Sequence, residues 1–134
     1  MEYKKITPNL LVKDVSASLA FYEEVLSLPR AILVPDQPPF IFGSVTAGGV
    51  EIFFNQRENV AADPSEFAKE FASRPIGGTF TMFLEVEGIE EILGRVQKHQ
   101  AKIVMPLQEM FYGMKEFAFL DPDGYIVTIA EKIG

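Results

Sequence analysis

Cysteine and tryptophan are absent, and histidine occurs once, as His99. Without cysteine there is no disulfide, thiolate nucleophile or thiolate metal site, and a cytoplasmic location is the expectation. A single imidazole also excludes, within one chain, multi-histidine zinc sites and acid-base work by a histidine pair. Positive charge is scarce: 12 Lys and Arg stand against 19 Asp and Glu, a net charge of −7. Such a surface repels phosphate backbones and anionic lipid, so no nucleic-acid or membrane partner is expected, whereas a cationic or neutral small molecule fits. The first twenty residues carry Lys4, Lys5, Lys13 and Asp14 and no long apolar run, so neither a signal peptide nor a membrane span is expected. No GxSxG elbow, phosphate-cradling glycine loop or EF-hand loop occurs, and Ser44 has no histidine near it in sequence. Covalent catalysis therefore lacks a nucleophile and base pair.

What is present is a chain of 134 residues, 48% hydrophobic and 23% charged, which suits one folded domain over residues 1–134. Residues 6–12 (ITPNLLV) read as a strand, and Asp14 can cap a helix over VSASLAFYEEVLSL, where Val15, Leu19, Tyr22 and Leu26 form one apolar stripe. Three apolar segments follow at 31–34, 40–46 and 50–55, separated by Pro35 to Pro39 and by Ala47-Gly48-Gly49. Asp63-Pro64-Ser65-Glu66 opens a short helix that links to the second half. That half repeats the first: a strand at 79–86, a helix from Ile89 with the stripe Ile89, Ile92, Leu93 and Val96, then strands at 101–105, 115–120 and 125–131. Val12 recurs as Val86 and Leu19 as Leu93 at one spacing, and Val50-Glu51-Ile52 as Val127-Thr128-Ile129 at a slightly longer one.

The expected fold is α+β: two tandem βαβββ modules, about 4–57 and 78–132, joined by a helical linker at about 63–73. Neither module can close its sheet alone, so the pair should form a curved, barrel-like eight-stranded mixed sheet around a central trough, with the helices outside. Period-2 alternation turns Thr81, Phe83 and Glu85 into the trough, with Thr7, Asn9, Leu11, Glu51, Phe53 and Asn55. Pairing Leu120 with Tyr125 around Asp121-Pro122-Asp123-Gly124 adds Phe117, Phe119, Ile126 and Thr128, an assignment that a bulge would invert. Phe40, Phe42, Phe111 and Tyr112 can line the rim. The Asp-Pro-Asp-Gly segment is a turn, and Met105, Met110 and Met114 are gap-fillers or an adaptable lid.

Three stretches, LLVKDVSASLAFYEEVLSL, LEVEGIEEILGRVQKHQAKIV and GMKEFAFLDPDGYIVTIAEK, together resemble the vicinal oxygen chelate superfamily of glyoxalases, bleomycin-resistance proteins and extradiol dioxygenases. The resemblance implies that a divalent metal, in members that carry one, would be held at Thr7, Glu51, Thr81 and Thr128. Only Glu51 is a ligand type, and three hydroxyls with one carboxylate make a poor site for Zn, Ni or Fe, so no metal and no cofactor are expected. What remains resembles the metal-free, bleomycin-resistance-like branch. It implies a homodimeric protein that sequesters a hydrophobic or cationic aromatic molecule through Thr7, Asn9, Glu51, Phe53, Thr81, Phe83, Tyr112, Phe117, Phe119 and Thr128. Exposed sheet edges also favour a dimer. Two alternatives stand. One is a metal-independent lyase, isomerase or hydrolase with Glu51 as general base, burial beside phenylalanines raising its pKa. The other is a scaffold or regulatory domain whose trough is filled and which binds only protein.

Overall fold

Asp14 starts the first helix as its side chain allows: Oδ1 accepts the N–H groups of Ser16 and Ala17, and α1 runs over Val15–Leu26 until Ser27 turns left-handed. The computed structural model describes residues 1–134, which divide into two units, residues 1–23 with 27–74 and residues 24–26 with 75–134. In the first unit β1 (Asn9–Val12), β2 (Arg30–Val34), β3 (Phe42–Ala47) and β4 (Val50–Gln56) form a mixed sheet in the order β1-β4-β3-β2. Two helices, α2 (Arg57–Ala62) and α3 (Glu66–Ser73), follow; α2 was not expected, since its six residues carry no apolar stripe. In the second unit β5 (Thr81–Glu85), α4 (Ile89–Lys98), β6 (Ile103–Glu109), β7 (Met114–Leu120) and β8 (Ile126–Lys132) give a sheet in the order β5-β8-β7-β6. The α+β class and the two modules are thus present. The eight strands are divided between two four-stranded mixed sheets that are not closed into a barrel. No helix is long and apolar enough to cross a membrane.

Each unit packs one sheet face on its helix. Val15, Leu19, Tyr22 and Val25 are fully buried in α1, so the stripe ends at Val25 and leaves Leu26 half-buried. They rest on Gly43, Val45, Ile52 and Phe54, where the missing side chain at Gly43 lets Leu19 and Val15 approach the sheet, and the rings of Tyr22 and Phe54 lie 5.2 Å apart. In the second unit α4 buries Ile89 and Val96 over β7 and β8.

The last strand of each half also caps its helix. Gln56 Oε1 accepts the Val15 N–H at 2.9 Å while its Nε2 donates to the Lys13 carbonyl. Glu131 Oε1 accepts the N–H groups of Gly88 and Ile89 at 3.1 and 2.9 Å. The N-cap there is Gly88 at φ +96°, a conformation open to glycine, which brings no capping side chain of its own.

The last hairpin departs from the expected register. Leu120 pairs with Ile126, because Asp121 holds a five-residue loop: its Oδ1 accepts the N–H groups of Asp123 and Tyr125, both at 2.9 Å, and Gly124 turns at φ +88°. A shift of one residue inverts every side chain of β7. Phe117 and Phe119 therefore stand opposite Ile129 and Val127 on the α4 side, fully buried, with stacked rings 5.8 Å apart. They are core residues, not trough residues.

Candidate functional site

The faces turned away from the helices carry the remaining candidates. On the first sheet the parallel register puts Asn9 beside Phe53 and Leu11 beside Asn55, and the antiparallel one puts Phe42, Ser44 and Thr46 beside Asn55, Phe53 and Glu51. Three small groupings result. Phe42 and Phe53 meet edge to face with centroids 5.2 Å apart. Asn55 Nδ2 donates to Asn9 Oδ1 and to the Leu10 carbonyl. Lys5 Nζ and Thr7 Oγ1 both donate to Glu51 Oε1, at 2.5 and 3.3 Å.

Glu51 is largely covered, its side chain 16% exposed, yet its pKa lies below the ordinary glutamate range. The hydrogen bond from Lys5 is the largest cause; it outweighs desolvation and is reinforced by the ammonium charge and the Thr7 hydroxyl. This corrects the expectation that burial would raise it. A carboxylate held in its ionised form by a lysine is a weak proton acceptor, so the geometry argues against Glu51 as a general base.

On the second sheet the outward rows run Gln108, Glu116, Ala130 and Glu85, then Met105, Ala118, Thr128 and Phe83, then Leu120, Ile126 and Thr81. Phe83 is 57% exposed, and Thr128 and Tyr112 share its unit. Tyr112, at the tip between β6 and β7, donates its hydroxyl to Glu116 Oε2 at 2.5 Å, which raises the phenol pKa. Sequence reasoning missed Lys5, which is 46 residues from Glu51, and it did not single out Glu116, whose face follows from the register of the last hairpin. Phe40 is no rim residue: it is buried and borders a cavity of about 350 Å³ with Asp14, Ser16, Gln56 and Glu58 beside the start of α1. His99 ends α4 as its C-cap residue.

A model of the Glyoxalase/Bleomycin resistance protein/Dioxygenase superfamily matches residues 6–129. The chain belongs to that superfamily. Its fold recurs in a glyoxalase/bleomycin resistance protein/dioxygenase family enzyme from Burkholderia phytofirmans PsJN, 22% identical at a TM-score of 0.76, covering 95% of this chain and 97% of that one. It recurs in virulence protein STM3117 from Salmonella typhimurium, 22% identical at 0.71 over 99% and 100% of the two chains. TioX from Micromonospora sp. ML1 is 16% identical at 0.73 over 98% and 100%. No curated protein matches the sequence.

At the positions where the superfamily resemblance implies a metal, the donors are either already engaged or out of line with one another. Glu51 is engaged by an ammonium on the oxygen it shares with Thr7, and a cation there would have to displace Lys5. In the second unit Thr81 is level with Ile126 and Thr128 with Phe83, so the two hydroxyls lie on different rows. Within neither unit do three histidine, aspartate or glutamate side chains gather. This donor set does not fit a transition-metal ion.

Proposed function

We propose that the chain is a metal-independent small-molecule-binding protein that sequesters a hydrophobic or cationic aromatic ligand against the sheet faces turned away from its helices, and that it does so as a homodimer. The observation that carries this reading is the Lys5–Glu51 contact: the one carboxylate at the superfamily's metal positions is already paired. With neither metal nor free base at that point, what the faces offer is aromatic surface, the Phe42–Phe53 pair on one sheet and the exposed Phe83 ring on the other. A planar ligand stacked on such rings gains buried apolar area and ~0.5–1.5 kcal/mol per aromatic pair. The acidic net charge favours the approach of a cation.

The test is a thermal-shift screen of the protein, purified without chelator, against antibiotics and planar cations. A ligand at a hundred times its Kd adds ~2.7 kcal/mol to stability. Phe53→Ala or Phe83→Ala should weaken a hit about tenfold or more by calorimetry, roughly 1.4 kcal/mol. Elemental analysis showing about one equivalent of transition metal per chain would overturn the metal-independent reading, and mutants that bind like the parent would remove these rings from the site.

A further inference from the structure

Glu116 is the second sheet's anomaly. It lies in the middle of β7, on the face away from α4, and is 3% exposed, yet it forms no ion pair. Its hydrogen bond comes from the Tyr112 hydroxyl, a neutral donor four residues back at the hairpin tip. The basic side chains nearby are committed elsewhere: Lys115 binds Glu90 at 2.6 Å and Lys132 sits 3.7 Å from Glu85. A carboxylate withdrawn from water without a cation is costly unless something else comes to it.

The position suits such an arrival. One row along from Glu116 on the same face are Ala118, Thr128 and the exposed ring of Phe83. Strand spacing puts the Cα atoms of Phe83 and Glu116 on the order of 12 Å apart, with small side chains between them. Tyr112 is half exposed on the turn that Gly113 closes at φ +86°, and its one ring neighbour, the exposed Phe111 at 5.1 Å, lies on the same turn, so side-chain rotation that gives up this edge contact carries the ring into solvent.

We propose that Glu116 is the cation-binding group of this face and that Tyr112 is its latch: an aromatic amine lays its ring against Phe83, its ammonium displaces the Tyr112 hydroxyl, and Glu116 accepts the charged hydrogen bond. The inference rests on the binding reading above and names its ligand class as organic cations bearing an aromatic ring. It also moves cation recognition from Glu51, which Lys5 already neutralises, to Glu116. A charged donor outcompetes a phenol at a covered carboxylate, which gives the exchange its direction.

The experiment titrates 2-phenylethylammonium and its neutral isostere 2-phenylethanol into the full chain, followed by NMR shifts of Phe83 and Thr128. The ammonium should bind at least tenfold more tightly. Glu116→Gln, which keeps an acceptor for Tyr112, should bring the ammonium to the alcohol's affinity and leave the alcohol unchanged. Tyr112→Phe, which removes the competing hydroxyl, should tighten the ammonium severalfold. The opposite signs of the two variants are what a merely structural Tyr112–Glu116 contact would not produce. Equal affinity for the two probes in the parent, or an ammonium preference that survives Glu116→Gln, would overturn the proposal; should Phe83→Ala then still weaken both probes, the aromatic-binding reading stands without it. If neither probe moves these resonances, both fall together.

Discussion

Gly43 lets Leu19 and Val15 of α1 approach the sheet closely, and Gly43→Ala tests that packing directly. A Cβ built there meets Leu19 Cδ1 at 2.9 Å, Leu19 Cδ2 at 3.1 Å and Val15 Cγ1 at 3.1 Å. Carbon atoms prefer about 3.5–4.0 Å, so all three contacts are short by roughly half an ångström, and both partners are fully buried. Overpacking of this kind costs ~1–3 kcal/mol, while alanine in place of glycine returns ~0.4–1 kcal/mol by narrowing the unfolded ensemble. The net expectation is a loss of about 1–2 kcal/mol, or roughly 3–8 °C in Tm for a chain of this size. Urea unfolding should show a lower midpoint at unchanged slope, because the same surface is exposed. Leu19→Ala alone should cost about 2–5 kcal/mol, and the double variant should cost less than the two losses added, since the leucine methyls are the obstruction. A Gly43→Ala protein as stable as the parent, or strictly additive losses in the cycle, would refute the close packing of α1 on β3.

Three further outcomes follow from contacts already described. The lowered pKa of Glu51 means that its ionised form contributes stability above the unfolded glutamate pKa of about 4.3 and loses it as pH falls through the lower folded value; the urea midpoints of parent and Glu51→Gln should differ at pH 7 and converge in acid, and a gap that persists at pH 2 would contradict this. Asp121→Ala strips one buried and one partly buried N–H group of their acceptor and should cost ~1–3 kcal/mol in denaturant, whereas Asp121→Asn, which keeps an oxygen there, should cost less. Glu131→Ala uncaps α4 at a cost of about 0.5–2 kcal/mol, visible as faster amide exchange at Gly88 and Ile89 with β5 unaffected.

Local physics made most of the fold legible. Asp14 and the stripe beginning at Val15 announced α1, and the alternation of Thr81 to Glu85 assigned both faces of β5 correctly, because a period-2 pattern on a half-exposed edge strand has one reading. The internal repeat announced two modules. Element ends were less legible: β6 runs to Glu109 although Pro106 lies within it, since an edge strand can leave that missing donor facing outward. The short α2 carries no apolar stripe and gave no signal.

The site was legible only where face assignment did not pass through a turn. Phe53 and Phe83 lie on the faces alternation gave them, but β7 was counted from a hairpin whose loop holds five residues, and Asp121's two hydrogen bonds, which set that length, are invisible in a pattern of apolar and polar letters. One residue of slip exchanged the two sides of the strand. Phe117 and Phe119 moved into the core, and the carboxylate of Glu116 moved onto the exposed-ring face. The reading of Glu51 failed for a different reason: its pKa depends on Lys5, whose partner could not be chosen from sequence when the two are separated by most of a module. Both errors concern charge. Glu51 gained a lysine that lowers its pKa where burial was expected to raise it, while Glu116 has a phenol where a cation would be expected. Aromatic surface was readable from composition and alternation; the carboxylate that would select among aromatic ligands depended on one turn and one long-range pair.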